Sequence, residues 1–159
     1  MNKPASLRDL MAADAILVDL DASDKKTLLQ LLSHHAAQSL GLAEHMLFDV
    51  LWEREKLGTT GVGAGIAIPH GRVDGLPDVR GFFVRLKSAI VFDAVDHQPV
   101  DLVFLLLAPE DAGADHLHAL ATVSRTLRDS AFCDKLRKAK DKKDLCTLLE
   151  SVSTPDVAA

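Results

Sequence analysis

Aromatic residues are scarce in this chain: they make up 4% of it, tyrosine is absent, and Trp52 is the single tryptophan. The core must therefore be assembled from Leu, Val, Ile and Ala. Cysteine is almost as rare. Cys133 and Cys146 are too few and too isolated for a metal knuckle, and each sits in an apolar-periodic stretch, so both read as reduced core residues. Basic excess is missing too. A formal charge of −5 and a pI near 5.7 do not suit a nucleic-acid binder, whose affinity rests on cations neutralising phosphates. The one basic run, 135–143, is interleaved with Asp141 and followed by Asp144, and reads as a solvated helix face and its turn. No apolar run is long enough to span a bilayer: the strongest, 100–108, is broken by Asp101. The opening "MNKPASLRDLMAADA" lacks the apolar segment of a secretory signal. No membrane insertion and a soluble, cytoplasmic protein are expected.

What is present is ordinary globular material. At 159 residues, 48% hydrophobic and 26% charged, the chain is long enough to bury a core without staples. Repeats and low-complexity linkers are absent, so a single domain over 1–159 is expected, with its core about 7–152 and a frayed tail, "STPDVAA", at 153–159.

The apolar pattern predicts a short helical turn over 7–11 after Ser6 and a strand over 15–20. A helix capped by Ser23 or Asp24 runs to Leu40, with Leu28, Leu29, Leu31 and Leu32 on its apolar face and Gly41 just past its end. A second helix covers about 43–56, with Met46, Val50 and Leu51 inward and Gly58 closing it. "GFFVRL" and "VDLVFLLLA" read as strands, the second so apolar that it should be covered on both faces. Between them lie a short strand and a turn. Helices follow over about 115–127 and in "SAFCDKLRKA" and "KKDLCTLLESV". Helices around a central sheet make the class α/β.

Chemistry concentrates in "TTGVGAGIAIPHGR", which leads to His70. Pro69 fixes its own φ and biases Ile68 to extended geometry, so "IAIPH" reads as a strand end presenting a side chain. Gly61, Gly63 and Gly65 permit close backbone approach, Thr59 and Thr60 add hydroxyls, and Arg54 and Arg72 add guanidinium groups suited to phosphate oxygens. Neither GxxxxGK[ST] nor a GxGxxG opening a helix is present. By the residues alone, two readings stay open: a structural turn, or an anion-handling loop around a histidine.

The other histidines sort by position. His34, His35 and His45 lie on the early helices and His97 in a turn, all read as surface or rim. His116 and His118 sit on one helix about 160° apart, so "HLH" cannot chelate one metal through both rings. No HExxH or similarly spaced set supports a zinc site. His116 falls on the flank of the buried face, in the first helical turn where free N–H groups favour an anion, whereas His118 points mostly to solvent. A half-buried rim histidine remains the alternative for His116.

"REKLGTTGVGAGIAIPHGR" resembles the active-site signature of EIIA components of the phosphoenolpyruvate-dependent phosphotransferase system, mannitol/fructose family. "PVDLVFLLLAPEDAGADHLHALATVSRTLRD" is similar to that family's second block, and the likeness spans roughly 7–152. Within the family the chain is most like the nitrogen-regulatory branch (EIIA-Ntr), to which "FDAVDHQPVDLVFLLLAP" points; one departure is Ala64, where close relatives often carry a polar residue such as asparagine. The resemblance implies a mixed β-sheet flanked by helices. It implies His70 as acceptor of a phosphoryl group from an HPr-like carrier, His116 as a supporting histidine and Arg54 as the active-site arginine. Thr59, Thr60, Gly61 and Gly63 become candidates for the phosphate loop, and Ile66, Ile68 and Val62 for the apolar rim of a shallow depression. It further implies neither cofactor nor metal, and regulated partners such as potassium transporters or sensor kinases, with control of nitrogen or carbon metabolism. Competing expectations are a sugar-specific EIIA that passes phosphate to an EIIB, a metal hydrolase using His70 and His116, and an interaction module that is never phosphorylated.

Overall fold

The computed structural model describes residues 6–12 and 14–152. The expected tail at 153–159 lies outside the described residues. Leu7–Leu10 form a 3-10 turn, entered through a capping box in which Ser6 N donates to Asp9 Oδ2 at 3.1 Å. Strand β1 (Ile16–Leu20) precedes helix α1 (Lys25–Leu40). Of the two proposed caps, Asp24 is the one used: its carboxylate accepts from Thr27 N at 2.8 Å. Gly41 ends α1 with φ at 70°, the left-handed region that glycine enters at least cost. Helix α2 (Glu44–Leu57) follows. Its inward residues are Leu47, Leu51 and Glu55, while Met46 and Val50, expected inward, are half-buried on the flank.

The histidine segment folds into three short strands, β2 (Gly61–Gly63), β3 (Ile66–Ala67) and β4 (His70–Val73). The two long strands are β5 (Arg80–Ile90) and β6 (Val100–Pro109); β5 takes up part of what was expected as a separate short strand. Helices α3 (Ala114–Arg128), α4 (Ser130–Lys138) and α5 (Lys142–Glu150) complete the chain.

The six strands form one mixed sheet in the order β1-β5-β6-β3-β2, with β4 also paired to β6. β1 is parallel to β5, β5 antiparallel to β6, and both β3 and β4 run parallel to β6 along its other edge. β6 is therefore central, and every residue in it except Asp101 is buried, as its unbroken apolar sequence demands. The core is Leu, Val, Ile and Ala with four phenylalanines, Phe82, Phe83, Phe92 and Phe104, at 1% exposure or less. Cys133 is buried and Cys146 half-buried, and both are free thiols. Among the described residues no helix is long and apolar enough to cross a membrane.

The edge of β6 fixes the position of the histidine. β3 pairs Ile66 with Leu102; Pro69, which has no N–H to give, interrupts the strand but accepts from Leu106 N at 2.9 Å; β4 then resumes with His70 opposite Leu106. Gly71 lets α2 lie directly on β4, since a Cβ there would stand 2.5 Å from Val50 Cγ1.

Candidate functional site

His70 opens β4 and stands in the wall of a depression of about 400 Å³ lined by Val50, Glu53, Arg54, Leu57, His70, Gly71, Arg72 and His116. Three elements meet there: α2, β4 and the first turn of α3. The sequence places Arg54 and His116 far from His70 in the chain; the sheet edge and the glycine contact bring them together.

The His70 ring is oriented by its own backbone. Nδ1 lies 2.8 Å from the carbonyl oxygen of Ile68. A carbonyl only accepts, so Nδ1 carries the proton and Nε2 is left with its lone pair. Burial pushes the ring below the ordinary 6.5, and the Arg54 cation pushes the same way; the Ile68 bond and Glu55 oppose without reversing it. The neutral imidazole is the favoured form.

His116 is the third residue of α3 and only 6% exposed, with its ring centroid 6.0 Å from that of His70. The inward flank deduced from helical periodicity is where the structure puts it; His118 is half-exposed and does not line the depression. Burial, then the neighbouring His70, then Arg72 depress the His116 pKa. Its Nε2 is a buried polar atom without a hydrogen-bond partner among the described residues.

Arg54 donates through Nη1 to the carbonyl of Gly58 at 2.8 Å, closing the C-terminus of its own helix, and is one of the residues lining the depression. Arg72 leaves β4 on the same side as His70, two residues along. Leu57 and Val50 supply the apolar part of the lining. Leu57 is 85% exposed, and Leu117, next to His116, is 64% exposed.

The candidate loop residues stand elsewhere. Thr59, Thr60, Gly61 and Gly63 do not line the depression. Thr60 is buried and its backbone N and hydroxyl both donate to the Glu55 carboxylate, at 2.9 and 2.7 Å, while Thr59 Oγ1 accepts from Gly61 N at 3.0 Å. The glycines have packing reasons of their own: a Cβ at Gly61 would meet Ala94 Cβ at 2.8 Å, and Gly63 has φ at 105°. Gly61 and Gly63 thus belong to the antiparallel β2–β3 pair and not to the lining of the depression. The rim also needs correcting. Ile66, in β3 beside β6, and Ile68, just after it, belong to the buried core at 1% and 2% exposure; Val62 is exposed but is not part of the lining.

Two residues that hold the site in place were not singled out from the sequence. Glu55, in the polar-looking "REKLG", is 6% exposed and links α2 to Thr60 and, through an ion pair of 3.3 Å, to Lys25 of α1. Arg137, from the basic run, binds both oxygens of Asp101 at 2.8 and 3.0 Å and the carbonyl of Ala64 at 2.9 Å, pinning the β2–β3 turn. The lysines around it are exposed, as a solvated helix face requires. Among the described residues no group of three or more His, Cys, Asp or Glu side chains could hold a metal ion.

A mixed sheet carrying a backbone-oriented histidine, a second histidine and two arginines in one open depression defines a class of protein. The chain belongs to the family described as "Phosphoenolpyruvate-dependent sugar phosphotransferase system, EIIA 2", whose model matches residues 9–152. Within that family it is similar to nitrogen regulatory proteins. It is 51% identical over 143 residues to the nitrogen regulatory protein of Bradyrhizobium diazoefficiens, covering 90% of this chain and 94% of that one. It is 44% identical over 137 residues to the nitrogen regulatory protein of Escherichia coli, covering 84% and 83%. Its structure superposes on the crystal structure of nitrogen regulatory protein IIA-Ntr from Neisseria meningitidis with a TM-score of 0.85 at 31% identity, covering 90% of this chain and 98% of that one. The sequence-based assignment to the EIIA family and the likeness to its nitrogen-regulatory branch both hold.

Proposed function

We propose that the protein is a phosphohistidine carrier that accepts a phosphoryl group on Nε2 of His70 from an HPr-like phosphocarrier and acts on regulatory partners through its phosphorylation state. The observation that carries this reading is the 2.8 Å contact between His70 Nδ1 and the Ile68 carbonyl. It leaves one ring nitrogen, Nε2, with a free lone pair in a depression that also holds His116 and two arginines.

The transfer needs little from the protein beyond placement and charge. The lone pair of Nε2 attacks phosphorus, the donor's P–N bond breaks, and the electron pair leaves with the donor imidazole. His70 enters neutral and its proton stays on Nδ1, hydrogen-bonded to the Ile68 carbonyl, so no base is required. Arg54 and His116 line the same depression as His70, and their cationic and N–H groups would offset the charge spread over the phosphoryl oxygens. The exposed Leu57, in the lining, and Leu117, next to His116 in the chain, suit a donor that must bring its own phosphohistidine to the surface.

The likeness to nitrogen regulatory proteins supports a regulatory role, with potassium transporters or sensor kinases as the class of target, over a sugar-specific role handing phosphate to an EIIB. The test is phosphoryl labelling from phosphoenolpyruvate with the general carriers. His70→Ala should carry no label, and undiminished labelling would sink the assignment. Rapid onward transfer from the labelled wild type to a sugar-specific EIIB would move the protein to the sugar branch.

A further inference from the structure

Arg72 reaches the same depression as His70 and touches the second histidine rather than the first. Its Nε–H donates to His116 Nδ1 at 3.4 Å, and its Nη1 donates to the carbonyl of Glu110, also at 3.4 Å. The direction of the first contact is fixed by chemistry. A guanidinium group has donors only, so His116 Nδ1 must be the acceptor and the ring proton must sit on Nε2. That Nε2 is the buried ring nitrogen without a partner. A buried N–H donor held without an acceptor is costly in a core and useful in a site that receives an anion.

We propose that Arg72 is a positioning residue: by donating to Nδ1 it locks His116 in the Nε2–H tautomer, which holds one uncommitted N–H ready for an oxygen of the phosphoryl group at His70. The two histidines, 6.0 Å apart, then carry opposite tautomers. His70 has its proton on Nδ1 and offers Nε2 to phosphorus; His116 offers a proton on Nε2 to oxygen. Ile68 sets the first through a carbonyl, Arg72 the second through a guanidinium group. The inference rests on His70 as acceptor, because the oxygen belongs to the group transferred there.

Arg72 also acts by charge. A protonated His116 would turn a second N–H toward the guanidinium group, so the cation holds the ring neutral. The other groups facing the pair are His70 on β4 and Arg54 and Glu53 on α2; of these Glu53 alone favours the protonated ring. Burial acts in the same direction as Arg72.

The experiment is long-range proton–nitrogen NMR of the imidazole rings in the unphosphorylated full-length protein, followed through a pH titration, with wild type, Arg72→Met and Arg72→Lys. Wild type should show His116 with bare Nδ1 and protonated Nε2. In Arg72→Met the Nδ1–H tautomer should appear and His116 should titrate at higher pH, while the His70 tautomer, set by Ile68, stays unchanged and reports an intact fold. Phosphorylation by the HPr-like donor should slow about tenfold in Arg72→Met, less than the ~100-fold typical of deleting an oxyanion donor itself. Arg72→Lys, which keeps a donor and a cation, should recover most of both. The inference is overturned if wild-type His116 carries its proton on Nδ1, or if Arg72→Met leaves the His116 tautomer as it was. Labelling that persists in His70→Ala defeats the carrier reading instead, and the tautomer measurement keeps the two failures apart.

Discussion

Replacing Gly71 by alanine should damage both stability and transfer, because one methyl group would separate the two elements that build the site. A Cβ at Gly71 would stand 2.5 Å from Val50 Cγ1. Apolar carbons rest about 3.5–4.0 Å apart, so α2 would have to retreat from β4 by about 1 Å or more. Val50 cannot swing aside: a β-branched residue in a helix has essentially one rotamer. Overpacking of this kind costs about 1–3 kcal/mol, or about 2–4 °C of melting temperature per kcal/mol for a chain of this size. The retreat would carry Arg54, one turn beyond Val50 on the same helical face, away from His70. A misplacement of about 1 Å at a reacting group can cost up to about 100-fold in rate. Thermal unfolding by circular dichroism and the rate of phosphorylation by an HPr-like donor measure the two effects. Adding Val50→Ala removes the offending methyl, so the double variant should be more stable than the sum of the single effects by at least about 1 kcal/mol. Gly71→Ala that melts and transfers like wild type, or a strictly additive double variant, would refute the reasoning.

Three further outcomes follow from the same geometry. Glu55→Ala should destabilise by about 3 kcal/mol in urea unfolding, because the buried Thr60 N–H and its hydroxyl lose their acceptor and the Lys25 ammonium keeps only the longer pair with Asp93; Glu55→Gln, which keeps an acceptor for Thr60, should recover most of it. Ala64 has φ at 58°, where a Cβ costs about 1–2 kcal/mol. Glycine there loses about 0.4–1 kcal/mol through the freer unfolded chain, so Ala64→Gly should stabilise by about 0.5–1 kcal/mol, measured by the same unfolding assay. The pKa values of His70 and His116 both lie below the ordinary 6.5. The unfolded chain therefore binds more protons than the folded one, and stability should rise with pH through the interval below about 6.5 and level off above it. Phosphorylation should fall only as the pH drops through the lowered pKa of His70, where a proton takes up the Nε2 lone pair; pH profiles of both quantities in wild type and His116→Gln check the sign, the variant having the shallower stability slope.

Much of this arrangement was legible in the sequence because it rests on local chemistry. Periodicity gave the helices, an unbroken apolar run gave the central strand, and Asp24 and Gly41 marked the limits of α1. The angle between His116 and His118 followed from 3.6 residues per turn and needed no tertiary knowledge. The histidine motif stood out because glycine, proline and arginine in one short segment signal backbone constraint and anion chemistry together.

The limits were those of long-range packing. In the sequence, glycine-rich backbone beside a histidine looked like a cradle for an anion, yet Gly61 is small because Ala94 lies against it, and Thr60 is committed to Glu55. A buried glutamate cannot be told from a surface one in "REKLG", since its burial is decided by Lys25 and Thr60 arriving from elsewhere. The residue types that can take part in the chemistry, and the helices and strands that carry them, were thus determined by the sequence alone, through periodicity and backbone sterics. That Arg72 rather than a loop amide meets His116, and that Arg54 lines the same depression as both histidines, were decided by the tertiary structure. Each depends on β4 running along β6 and α2 lying directly on Gly71, and such contacts between distant segments leave no local signature in the chain.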